Sequence, residues 1–207
     1  MRREETHQIS VFGLGKLGCT MVGCFAEAGN VVIGVDVNSG MVDSVAAGKA
    51  SVSEPGLDHL FKRNKSSISA TLNVEEAVMK TNASFIIVPT PSLPSGEFFT
   101  SIAKQVAVSI GKVLRRKRSY HVVVLTSTVL PGASRRDIVS TLERASAKKC
   151  GKGFGFCYSP EFIAIGNVIE GLMNPDFFLI GVYDKRSGDT LERIYHRVWR
   201  NHLQEGR

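Results

Sequence analysis

The chain has 207 residues, 43% of them hydrophobic and 22% charged, with a formal net charge of +7. That length suffices for one well-buried domain with at most an appendage, and the composition excludes a disordered or fibrous chain. No apolar run approaches a membrane span, and the polar start Met1 to Gln8 is unlike a secretory signal.

Taken in chain order, Ile9 to Phe12 is a short apolar run that leads into Gly13-Leu14-Gly15-Lys16-Leu17-Gly18. Helical spacing follows at Met21, Val22, Phe25 and Ala26. Strand, glycine turn and helix start in this order form a dinucleotide-binding fingerprint. Gly13 permits the tight turn, Gly15 lets the backbone approach a pyrophosphate, and Gly18 lets helix and strand pack closely. The N–H groups of Lys16, Leu17 and Gly18 then face the phosphates at the positive end of a helix. Val31 to Val35 reads as a second buried strand ending in Asp36, a carboxylate placed to accept hydrogen bonds from both ribose hydroxyls and to repel a 2′-phosphate. NAD is therefore expected over NADP.

Met41 to Ala47 suits a short helix, Gly48 to Gly56 a loop, and Leu57, Leu60 and Phe61 another helical turn. A strand is expected over Ile68 to Leu72, then a helix over Val74 to Lys80 with Asn73 as its N-cap. Ala83 to Val88 is a buried strand that stops at Pro89-Thr90-Pro91. The spacing of Ile102, Val106, Ile110 and Val113 predicts a helix from Thr100 to Arg116 with one apolar face. His121 to Leu125 is the next strand, ending in Thr126-Ser127-Thr128. A helix over Ser134 to Ala147, a strand over Phe154 to Tyr158 ending in Ser159-Pro160-Glu161, and a last strand over Phe178 to Val182 complete the alternation. Finally, Leu191, Ile194, Tyr195, Val198 and Trp199 mark one face of a helix. That stripe either packs back on the sheet or meets something outside this chain.

Apolar strands alternating with helices predict an α/β fold of Rossmann type: doubly wound, with a mainly parallel sheet and helices on both faces. Residues 1–183 would form the NAD-binding domain and residues 184–207 an amphipathic connecting helix. Cys19, Cys24, Cys150 and Cys157 and the five scattered histidines show no metal-ligand spacing, so a reduced, cytoplasmic, metal-free protein is expected. The basic run Arg115-Arg116-Lys117-Arg118 reads as the solvated C-terminal end of a helix rather than a nucleic-acid patch, and no nucleic-acid partner is expected.

Gly13, Asp36, Pro89-Thr90-Pro91, Ser127-Thr128 and Pro160-Glu161 each follow an apolar run directly. In a parallel sheet all of these strand ends share the carboxyl edge, where open α/β sheets bind ligands. Together with Glu54-Pro55-Gly56-Leu57, Asn174-Pro175-Asp176 and Gly181, this ordered set resembles the N-terminal domain of the UDP-glucose/GDP-mannose dehydrogenase family, over about Ile9 to Trp199.

The resemblance implies oxidation of a nucleotide-sugar C6 alcohol to a carboxylate in two steps with two NAD, through a thioester on a cysteine. It assigns Thr128 to holding the reactive water and Glu161 to general acid/base work. Thr90, Pro91, Ser127 and Thr128 would line the nicotinamide side of the cofactor site. Glu161, Phe162 and Ile163 would contact the nucleotide sugar, a UDP-sugar foremost. Ile165 stands where many members carry a second acid, and Met41 where a basic residue is frequent. None of the four cysteines has the glycine-rich context of the family's nucleophile. A truncated or split dehydrogenase, inactive alone, is therefore expected. Its protein partner would be a dimer mate or a missing C-terminal half against the Leu191–Trp199 helix. A non-catalytic NAD-binding or interaction module, and another Rossmann dehydrogenase, remain the alternatives.

Overall fold

The computed structural model describes residues 6–94, 96, 98–163 and 166–205, with side chains up to Val198 in the last helix. The strands are β1 (Gln8–Phe12), β2 (Val31–Val35), β3 (Ile68–Thr71), β4 (Ala83–Ile86), β5 (Val122–Leu125), β6 (Gly155–Tyr158) and β7 (Gly181–Val182). They form one sheet in the order β3-β2-β1-β4-β5-β6-β7, parallel throughout except that β7 runs antiparallel to β6. The helices are α1 (Lys16–Glu27), α2 (Ser39–Ala46), α3 (Leu57–Arg63), α4 (Val74–Lys80), α5 (Ser101–Arg116), α6 (Ser140–Ser146), α7 (Val168–Met173) and α8 (Lys185–Glu205).

The continuous apolar runs are explained by burial on both faces. Along β5, Val122 and Val124 enter one core with α1 and α8, while Val123 and Leu125 enter a second core with α5 and α6. A strand alternates its side chains, so a sheet covered on both sides leaves no polar face to reveal its period. Asn73 caps α4 by accepting the Glu76 N–H at 3.2 Å, as expected. Asn38 does the same for α2 from Gly40 and Met41, which starts that helix earlier than its apolar residues suggest.

Several expectations change. The last strand is only Gly181–Val182; Phe178 and Ile180 instead pack against the α1-side core. Helix α7, with only six residues and a central glycine, has no sequence pattern strong enough to predict it. The helix after β5 opens with a π-helical turn over Ser134–Val139 before α6 begins. The basic run is solvated at Arg115, Arg116 and Arg118 but not at Lys117, which is 5% exposed. Lys117 Nζ donates to the carbonyls of Val78, Met79 and Thr81 at 2.7, 3.0 and 2.6 Å. These carbonyls close the C-terminal end of α4, where intrahelical donors run out. The open choice at the last helix is decided too: Leu191, Ile194, Tyr195 and Val198 are buried in this chain's own core. The stripe therefore packs back rather than waiting for a partner, and the side chain of Trp199 lies outside the described residues. Among the described residues, no helix is long and apolar enough to cross a membrane.

Candidate functional site

From β1 the chain winds through β2 to β3 in one direction, and from β4 through β5 to β6 in the other. The carboxyl ends of β1 and β4 thus flank the topological switch point, where flanking loops diverge and leave a crevice. Here the crevice measures about 760 Å³ and is lined by Gly13, Gly15, Lys16, Leu17, Gly18 and Asp36, with α5 forming the far wall.

The three glycines divide the work. Gly13 has φ +104°, and a Cβ there would strike the carbonyl oxygen of Ile87 on the neighbouring strand end. A Cβ at Gly18 would strike the carbonyl oxygen of Gly13. At Gly15 a Cβ would meet nothing within 4 Å, so this backbone faces open crevice. The turn is pinned from both sides: Gly13 N–H donates to Val35 O at 2.8 Å, and Leu14 N–H to Asp36 Oδ2 at 2.6 Å. Ser51 Oγ donates to Leu14 O at 2.9 Å. Asp36 also accepts the Asn38 N–H through Oδ1 at 2.9 Å, so its carboxylate is oriented before any ligand arrives. Helix α1 starts with Gly15 as N-cap, no side-chain cap and no acid in the first turn, which leaves its first N–H groups for an anion.

Lys16 does not point only into the crevice. Its Nζ lies 3.4 Å from Oε2 of the buried Glu54, whose Oε1 accepts the Val168 N–H at 2.7 Å. One carboxylate therefore ties the glycine turn to the start of α7. The link spans 114 residues in sequence, and the only sequence sign of it is the Glu54-Pro55-Gly56 turn.

Next along the edge, Ser127 is buried and clamps the end of β4. Its hydroxyl accepts the Val88 N–H at 2.9 Å and donates to Val88 O at 2.8 Å. Thr90 Oγ1 donates to Thr128 O at 2.7 Å, while the Pro91 carbonyl accepts the Phe99 N–H at 2.8 Å. Thr128 is exposed at the edge. Glu161 lies beyond β6, its Oε1 3.5 Å from the Tyr195 hydroxyl of α8. Burial pushes its pKa up to about 7, with the Tyr195 hydroxyl pulling the other way. Among the described residues no hydrogen bond joins Glu161 to Thr128; they share an edge, not a contact. Phe162 is 61% exposed with its ring 4.9 Å from that of Phe177, whereas Ile163 turns inward against Gly171. Ile165 lies outside the described residues.

The four cysteines are buried. Desolvation raises every one of the thiols, Cys157 to about 11 and Cys150 to about 12. None has the electropositive, accessible setting of a reactive thiolate. Among the described residues no group of three His, Cys, Asp or Glu could hold a metal ion.

The model of the UDP-glucose/GDP-mannose dehydrogenase family, NAD binding domain, matches residues 7–199. The chain belongs to this family. GDP-mannose 6-dehydrogenase of Pseudomonas aeruginosa is 38% identical over 193 residues, covering 92% of this chain and 44% of the relative. UDP-glucose 6-dehydrogenase of Haloferax volcanii is 35% identical, covering 91% and 44%. A crystal structure of a ternary complex of the Pseudomonas aeruginosa GDP-mannose dehydrogenase superposes with a TM-score of 0.88, covering 91% of this chain and 44% of that one. The chain thus spans less than half the length of the curated relatives it matches. As the NAD-binding domain of a nucleotide-sugar dehydrogenase it takes NAD as cofactor, and the open turn at Gly15, the free helix end and the oriented Asp36 fit that dinucleotide. No local sequence pattern marks the walls of the crevice: Leu72, Val74, Gln105 and Ser109 line it along with Met41. Ile102 and Val106 also line it, although their spacing alone groups them with the core residues Ile110 and Val113.

Proposed function

We propose that this chain is the cofactor-holding part of a nucleotide-sugar 6-dehydrogenase. Gly13, Gly15 and Gly18, with the N–H groups of Lys16 and Leu17, receive the pyrophosphate, and Asp36 accepts the adenosine ribose hydroxyls. NAD held there would supply the hydride acceptor for oxidation at the sugar C6. Thr90, Pro91, Ser127 and Thr128 border the nicotinamide side, with Thr128 holding a water. Glu161, Phe162 and Ile163 meet the nucleotide sugar. A carboxyl that titrates near 7 both takes and gives a proton at neutral pH, which suits Glu161 to general acid/base work. The covalent step requires a thiolate, and four buried, raised thiols do not supply one. This chain alone therefore binds NAD without turning over.

The observation that carries the reading is the open glycine turn at the switch point, next to an acid already oriented by two backbone N–H groups. Calorimetry tests it. NAD should bind the purified chain, and Asp36→Ala should weaken binding by about tenfold, roughly one to two lost hydrogen bonds. No steady NADH should form from either UDP-glucose or GDP-mannose. Failure to bind NAD would sink the reading, and steady turnover would sink the claim of inactivity.

A further inference from the structure

Tyr195 is a buried tyrosine, 3% exposed, whose hydroxyl sits between two groups at the carboxyl edge. It lies 2.9 Å from Ser159 Oγ and 3.5 Å from Glu161 Oε1. Its ring is stacked on Phe178, with centroids 4.1 Å apart and planes 4° from parallel, and it tilts against Phe85 at 6.3 Å. Leu191, Ile194 and Val198 lock the rotation of α8, so the hydroxyl is delivered to one place. We propose that Tyr195 is the positioning residue for Glu161: through the relay Ser159–Tyr195–Glu161, the last helix holds the site carboxyl and stabilises its ionised form. The proposal rests on the reading of Glu161 as the acid/base group and adds what controls it.

Donor counting supports the direction of the relay. A carboxylate only accepts, so the single Tyr195 hydrogen points to Glu161 when Glu161 is ionised. Ser159 must then donate to Tyr195 Oη. When Glu161 takes up a proton, the Tyr195 hydrogen is free to turn to Ser159. Burial opposes the ionised form of Glu161, and the tyrosine donor offsets part of that. The Cys24 thiol of α1 also feels Glu161, and the Cys157 thiol feels Tyr195; burial above all keeps both thiols neutral. Neither thiol therefore places a charge beside the carboxyl, and Tyr195 is the side chain that donates to it and offsets part of the burial.

The test needs no turnover. The chain is labelled with ¹³C at the glutamate carboxyl carbons, the Glu161 signal is assigned by its loss in Glu161→Gln, and its titration is followed by NMR. Tyr195→Phe keeps the ring stack and removes the hydroxyl; the Glu161 midpoint should rise above its wild-type value by roughly half a pH unit or less, the effect of losing a long, 3.5 Å hydrogen bond to a charged acceptor. Ser159→Ala should raise it less, in the same direction. An unmoved midpoint in a folded Tyr195→Phe chain overturns the proposal. If that variant does not fold, Ser159→Ala decides: a rise sustains the relay and no change overturns it. A midpoint that moves in a chain unable to bind NAD would sustain the relay while sinking the functional reading, and an unmoved midpoint in an NAD-binding chain would do the reverse.

Discussion

The two ends of the same sheet bury polar groups in opposite ways. Towards the amino ends of β4 and β5, His121 is fully buried, with Nε2 2.8 Å from Ser84 Oγ and Nδ1 3.1 Å from Thr81 O. A carbonyl can only accept, so Nδ1 carries the hydrogen and Nε2 accepts from Ser84. Ser84 in turn meets Ser10 at 2.7 Å, and Lys117 fills the three carbonyls at the end of α4. Burial, with the Lys117 charge, pushes His121 down to about 3, so it stays neutral. At the carboxyl end the turn at Gly15 faces open space, the α1 N-terminus is uncapped, and Glu161 is pushed up to about 7. A closed network that satisfies its members stabilises the fold. Groups left open are available to a ligand, and their cost is borne by the rest of the molecule.

The sharpest way to break this contrast is to cut the closed end. Lys117→Met should strand the carbonyls of Val78 and Met79, leave Thr81 O only its His121 N–H, and cost about 2–3 kcal/mol in urea unfolding. The protein that remains folded should keep its NAD affinity. A variant of unchanged stability, or one that stays folded but loses NAD, would show that the two ends are not separate in role.

At the open end, glycines next to one another should behave differently. Gly13→Ala places a Cβ at φ +104° against a backbone carbonyl and should destabilise or prevent folding. Gly15→Val should fold normally, since its Cβ meets nothing, yet weaken NAD binding by about tenfold or more by filling the approach to the pyrophosphate. Thermal melts and calorimetry separate the two; equal effects on both would erase the distinction.

The effect smallest in the wild-type chain, because its two parts cancel there, is a pair of opposed pH slopes. His121 binds its proton more readily unfolded, at about 6.5, than folded, at about 3, so it makes stability fall as pH drops through that window. Glu161 binds its proton more readily folded, at about 7, than unfolded, at about 4.5, so it makes stability fall as pH rises through that window. Each slope approaches about 1.4 kcal/mol per pH unit, and between about pH 4.5 and 6.5 they oppose one another. Glu161→Gln should expose the histidine slope, with stability rising as pH rises. His121→Asn should expose the glutamate slope, with stability falling as pH rises. Urea midpoints across that range that do not diverge between the two variants would refute the assignment.

By itself the sequence determined the order of strands and helices apart from α7, the glycine turn and its acid, and the gathering of polar segments at one edge. These are written in short-range patterns: apolar runs, a spacing of a few residues, a capping Asn73. A two-sided parallel sheet then places every strand end by rule. Tertiary structure alone decided that Lys117 is a buried cap and not part of a solvated run, and that the α8 stripe turns inward. It also decided that Glu54 joins Lys16 to α7, and that Tyr195 reaches Glu161 from 34 positions away. Such partners share no local pattern, because what brings them together is the packing of whole elements. The glycine turn is legible because its chemistry is local; the setting of the Glu161 carboxyl at the same edge of the sheet is not, because Tyr195 arrives from a distant helix.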